Sequence, residues 1–169
     1  MTHNEPLIAE MLGLAAFGFL GGLWFLPGGV LALRRRALGE LQLDVRPGYS
    51  PKTLYRLLRL YGPDGIRSFR RMLMADMIFP AVYGALFWIL GDLAAAAQPA
   101  AFRSAGLVQV FGVTAAGLDY VENCFLLFAL RSFPTEQALA ARAAGISTSS
   151  KLISLIAAVS ALAVATLIH

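Results

Sequence analysis

The amino-acid sequence predicts an all-α integral membrane protein, a four-helix bundle with a short amphipathic cytoplasmic helix lying at the interface between its first two spans. Three observations carry that expectation. Of the 169 residues, 58% are hydrophobic and only 14% are charged, against roughly 45–50% and 25% in soluble domains; the mean hydropathy is +0.68. Four apolar windows, at about 7–33, 72–97, 104–130 and 152–168, reach or approach the roughly 20 residues a helix needs to cross a hydrocarbon core about 30 Å thick. The basic residues gather at the ends of these windows. The whole chain, 1–169, reads as a single transmembrane domain.

The first span is preceded by MTHNEP, which has no Lys or Arg. It therefore lacks the basic leader of a secretory signal, and the span is expected to stay in the protein. Gly18 and Gly22, with Gly21 beside them, form a GxxxG pair suited to close packing. The span closes on Arg34, Arg35 and Arg36.

The long connection that follows contains a Pro47-Gly48 turn signal, and then Ser50 as a helix cap with Pro51 in first position. Leu54, Leu57, Leu58 and Tyr61 fall on one face, with Lys52, Arg56 and Arg59 toward the other. Residues 51–61 are thus expected to form a short helix lying in the headgroup region, broken at Gly62-Pro63-Asp64-Gly65.

Ten of the fourteen basic side chains lie in residues 34–71. The second connection, 98–103, carries only Arg103; the third, 131–151, carries Arg131, Arg142 and Lys151; none lies before the first span or after the last. Under the positive-inside rule the first and third connections face the cytoplasm and both termini lie outside it. The first connection carries an excess of seven positive charges, each attracting anionic lipid by roughly 1 kcal/mol. Arg56, Arg59, Arg67, Arg70 and Arg71 are the expected headgroup contacts, although the same charges also serve simply to fix topology. They follow membrane boundaries instead of forming a separate basic domain, which argues against nucleic-acid binding.

In the third span Gln109, Gly112, Ala116, Asp119 and Asn123 form one stripe, with Glu122 beside it. Leu107, Phe111, Leu118, Val121, Phe125 and Phe128 cover the other faces, so the stripe is expected to face the bundle. The second span offers a matching surface in Asp76, Pro80, Tyr83 and Phe87. Tyr83 stands at the depth of Asp119 and Glu122 and is expected to donate to one of them. Pro80 leaves the carbonyl of Asp76 without a donor, so a kink is expected there. In the fourth span Ser154, Ala158, Ala161 and Ala165 make a smooth stripe, continued at the boundary by Lys151. Lys151 is the leading candidate to reach Glu122, with Arg131 and Arg67 as competitors. Cys124, the only cysteine, excludes an internal disulfide and is expected to be a small buried hydrophobe.

A charged carboxylate at mid-span costs about 2.5–3.5 kcal/mol, and Asp119 and Glu122 repel each other across one helical turn. With no Lys or Arg in the central part of any expected span, the pair is expected to be partly protonated, to be hydrogen-bonded to Asn123 and Tyr83, or to hold a cation or a substrate group.

Taken together, Tyr61-Gly62-x2-Gly65, Asp76-x2-Phe79-Pro80-x2-Tyr83, Asp119-x2-Glu122-Asn123 and Thr148-x2-Lys151 resemble a family of bacterial multi-pass membrane proteins with D-x-x-F-P-x-x-Y and D-x-x-E-N on consecutive spans. The resemblance covers about residues 54–165. It implies four helices in a bacterial inner (cytoplasmic) membrane and no particular activity, and it suggests that Asp76, Tyr83, Asp119, Glu122, Asn123 and Lys151 form one site.

His3 and His169 are the only histidines. Their terminal positions exclude a haem or chlorophyll held by intramembrane His and argue against a His-dependent hydrolase. No central Lys suits retinal, and no Walker loop, Rossmann fingerprint or Cys pair occurs. No cofactor and no metal site is expected. The preferred reading is a non-catalytic accessory or lipid-binding protein. The alternatives are a proton- or cation-coupled carrier that titrates Asp119 and Glu122, and a divalent-dependent lipid-modifying enzyme with Mg²⁺ on Asp76 and the acid pair. The usual two-aspartate signature of phosphate-transfer lipid enzymes is absent. The expected partners are membrane lipids, anionic ones above all, and a second copy or another membrane protein.

Overall fold

A computed structural model describes residues 4–25, 29–40, 43, 46, 48–98 and 102–167. Every regular element among them is helical: α1 (Glu5–Phe25), α2 (Val30–Arg36), α3 (Pro51–Asp76), α4 (Phe79–Ala97), α5 (Phe102–Ser132) and α6 (Ala138–Leu167). Four stretches are long and apolar enough to cross a membrane: Glu5–Arg36, Pro51–Ala97, Arg103–Ser132 and Ala138–Leu167. Residues 26–28 within the expected first span, Asp44 in the long connection, and the end of the fourth span at 168 lie outside the described residues.

α3 starts as its sequence dictates. The Ser50 side chain accepts from the Thr53 N–H at 3.2 Å, and Pro51 occupies the first turn, where its missing N–H costs nothing. At Gly62 the backbone leaves the helix, with φ 65° and ψ −179°, a conformation essentially restricted to glycine. The helix resumes through Pro63, so the expected break is a kink between two helical segments.

The apolar face of the first segment does not lie open to headgroups. Leu54, Leu57, Leu58 and Tyr61 are buried against Leu33 and Ala37 near α2, Leu126 and Leu130 of α5, and Ala141 and Ala144 of α6. The Tyr55 hydroxyl accepts from the Gln137 N–H at 2.5 Å and pins the same helix to the α5–α6 connection. Burying each of these leucines is worth roughly 1.5–3 kcal/mol relative to water. Residues 51–61 are therefore a docked element of the protein core, and the expected interfacial placement of that face is corrected.

The expected span 72–97 is divided. α3 runs to Asp76, Met77 and Ile78 form a turn, and α4 begins at Phe79. Pro80 has no N–H to return to the Asp76 carbonyl, which places the discontinuity just ahead of it.

α4 and α5 approach closely at small residues. A Cβ on Gly84 would lie 3.1 Å from the Ala116 Cβ, and one on Gly91 2.9 Å from the Ala105 carbonyl oxygen; one on Gly112 would collide with Phe87. Ala158, Ala161 and Ala165 of α6 are buried in turn, in the small-residue packing that suits helices in lipid. Gly18 and Gly21 of α1, by contrast, face open space. The close contacts at small residues are made by α4, α5 and α6. α1 leans on α4 by stacking Phe19 on Phe79, with ring centroids 5.7 Å apart. Leu107, Val121 and Phe128 of α5 point outward. So does Cys124, which is exposed rather than buried.

α6 begins 14 residues earlier than the fourth apolar window, at Ala138 instead of 152. Ala140, Ala141, Ala144, Gly145, Ser147 and Thr148 are buried by the protein itself, so this half-polar helical segment needs no lipid to cover it. Gly145 has no Cβ to meet the Tyr49 carbonyl that packs directly on it. Lys151 stands roughly 20 Å along a 30-residue helix, not at its end.

Candidate functional site

Lys151 is the hub of a buried polar cluster. Its Nζ lies 2.9 Å from Asp119 Oδ1 and 2.7 Å from Glu122 Oε2. The Tyr83 hydroxyl donates to the other oxygen of Asp119, Oδ2, at 3.1 Å. Thr148 Oγ1 lies 2.6 Å from Glu122 Oε1 and 3.0 Å from the Ala144 carbonyl oxygen, and its single hydrogen serves one of the two. Asn123 Nδ2 donates to Asp76 Oδ2 at 2.9 Å.

The helix periodicity explains the convergence. Glu122 and Asn123 follow Asp119 by three and four residues, one turn along the inner face of α5, and Thr148 and Lys151 stand three apart on α6. Asp119, Glu122, Asn123, Thr148 and Lys151 are all at most 6% exposed. The cluster thus places three carboxylates, Asp76, Asp119 and Glu122, around one ammonium group.

All six residues proposed from the sequence as an intramembrane cluster (Asp76, Tyr83, Asp119, Glu122, Asn123 and Lys151) come together here. Lys151, expected at the boundary of the fourth span, stands inside a helix that extends past it on both sides. The competitors lie elsewhere: Arg67 pairs with Asp64 on the surface, and Arg131 is exposed. Thr148 belongs to the cluster as well. Its spacing of three from Lys151 is the sequence signal for it, obscured by its placement in a connection.

The cluster floors a cavity of about 380 Å³ beside the α3–α4 break. Leu20 and Trp24 of α1, Phe69 of α3, Phe79 and Phe87 of α4 and Leu155 of α6 supply apolar wall. Asp76, Asp119 and Lys151 reach it as polar groups. Tyr83 joins the two regions, its ring 5.1 Å from that of Phe79 and its hydroxyl on Asp119. These walls come from helices far apart in sequence, and no local pattern marks them. The combination of an apolar concavity with a few convergent polar groups is what small-molecule sites share.

The arginines proposed as headgroup contacts lie apart from the cluster. Arg56 pairs with Glu40, Arg59 with Glu136 at 2.8 Å, and Arg67 with Asp64. Arg70 and Arg71 are exposed, with no carboxylate partner among the described residues. Arg56 and Arg46 together hold Glu40 well below the usual carboxylate range, at about 2, chiefly through the Arg56 hydrogen bond. Among the described residues no group of three His, Cys, Asp or Glu side chains is arranged to ligate a metal ion.

No family model matches the chain, and no curated protein or solved structure matches it. The resemblance to bacterial multi-pass proteins rests on the motif residues alone.

Proposed function

We propose that this protein is a non-catalytic, multi-pass membrane protein that holds one amphiphile of the bilayer in the cavity between α1, α3, α4 and α6. The observation that carries the reading is the join between a 380 Å³ apolar cavity and the Asp76–Asp119–Lys151 floor. An amphiphile needs both surfaces at once, an apolar wall for its chain and fixed polar groups for its head. At roughly 30 Å³ for each water-sized group, the space takes about a dozen non-hydrogen atoms. That is room for one chain or ring system.

In this reading the four long stretches cross a bacterial cytoplasmic membrane with both termini outside the cytoplasm, as the Lys and Arg distribution favours. Arg70 and Arg71, exposed and without carboxylate partners among the described residues, are the side chains left to meet anionic headgroups. Catalysis at a divalent ion is not favoured, since Asp76, Asp119 and Glu122 do not make a three-ligand set.

Native mass spectrometry of the protein purified in a neutral detergent tests the proposal. A retained amphiphile is expected on the wild type and should be markedly reduced on Leu155→Trp, which projects a larger ring into the cavity and leaves the residues of the polar cluster unchanged. Equal retention by the two proteins would place the bound molecules elsewhere and remove the reading.

A further inference from the structure

We infer that the amphiphile held here is a compact hydrophobic amine, its cationic head seated at Asp76. The inference rests on the amphiphile-binding reading above and specifies its ligand.

Charge is unevenly shared in the cluster. Lys151 is committed to Asp119 and Glu122, at 2.9 and 2.7 Å, so its ammonium is already neutralised and is a poor receptor for an anionic head. Asp76 receives only the neutral amide of Asn123, and among the described residues no Lys or Arg pairs with it. Three carboxylates face one ammonium, which leaves this low-dielectric site short of positive charge and able to gain from a cation.

The backbone adds to the same point. Asp76 is the last residue of α3, where the helix dipole places partial negative charge. The Pro80 nitrogen carries no hydrogen, so the Asp76 carbonyl has no i+4 donor. The carboxylate, the helix end and this carbonyl all favour a cation at one place, and Asp76 is only partly buried and lines the cavity.

The walls suit the same ligand. Trp24, Phe69, Phe79 and Phe87 offer aromatic surface around the cavity, and aromatic faces attract ammonium groups, most of all when water is excluded. A hydrated metal ion would leave these rings unused. A carboxylate or phosphate head would be repelled by Asp76. A hydrophobic amine uses every feature present.

A matched series of single chains tests this: dodecylamine, which is an ammonium ion at neutral pH, dodecanol and dodecanoate. Each is titrated against the full-length protein in neutral detergent and read by native mass spectrometry. The wild type should bind dodecylamine at least about tenfold more tightly than dodecanol, with dodecanoate weakest, and Asp76→Asn should bring dodecylamine down to the level of dodecanol. Equal binding of all three, reduced by Leu155→Trp, would overturn the amine and leave the amphiphile reading standing. A preference for dodecanoate would overturn the amine and turn attention to Lys151. Binding of none would overturn both readings. The ranking on the wild type decides the matter even where Asp76→Asn fails to fold.

Discussion

Two sets of ion pairs in this chain use the same side-chain chemistry in opposite surroundings. On the outside, Arg46 and Arg56 converge on Glu40, Arg59 meets Glu136 and Arg67 meets Asp64, with side chains from 22% to 68% exposed. Inside, Lys151 meets Asp119 and Glu122, and none of the three side chains is more than 8% exposed. Water screens the first set and takes over when a partner is lost, so each outer pair contributes little. The inner set has no such substitute. Once one member is removed, the others are left as buried charges. The outer arginines are therefore replaceable singly, whereas the inner groups stand or fall together.

The sharpest way to break that contrast is Lys151→Met. It strands Asp119 and Glu122 and should lower stability by about 3–5 kcal/mol, read as an earlier thermal or detergent-unfolding midpoint. Adding Asp119→Asn and Glu122→Gln to the same protein should restore most of the loss, because neutral partners leave no stranded charge. A triple variant as unstable as the single one would show that the lysine acts through packing instead. Next in size is Asn123→Leu, which takes the amide donor from Asp76 and should cost about 1–3 kcal/mol. A normal midpoint in that variant would count against a structural role for the amide.

The outer set should respond far less. A double-mutant cycle on Arg59 and Glu136 should give a coupling of about 0.2–1 kcal/mol, shrinking further in 1 M salt as screening shortens to about 3 Å. The smallest expected effect is acid sensitivity at Glu40. Its carboxyl is lowered from an ordinary 4.5 to about 2 by Arg56 and Arg46. Its stabilising contribution is thus fully present above pH 4.5 and is lost as the pH falls through 2. Unfolding midpoints of wild type and Glu40→Gln, followed from pH 5 down to pH 2, should converge toward the acid end. A gap that stays constant with pH would mean that the charge of Glu40 does not matter.

The residues themselves explain which parts of this arrangement could be read from the sequence. The Ser50–Pro51 start, the Gly62 break and the inward stripe of α5 are set within a few residues of chain, so local spacing reveals them. The start of α6 is different. The segment ARAAGISTSSK is too polar to register as apolar, and it is helical because Tyr49, α5 and the docked α3 cover it. Hydropathy detects what lipid will cover and misses what protein will cover. The same confusion placed the leucine face of residues 51–61 at headgroups. The cavity lay further out of reach, since Trp24, Phe79 and Leu155 meet only after four helices have packed.

The position of Lys151 in α6 has a consequence for how the chain is made. Synthesis runs from the N-terminus, so Asp119 and Glu122 of α5 exist before the ammonium that neutralises them. For the time it takes to make the roughly 30 residues from Glu122 to Lys151, α5 carries two acids without their base. Whatever shelters these two acids during that interval, bound protons included, is needed until α6 arrives. The later helix is thus the one that neutralises the acids of its predecessor.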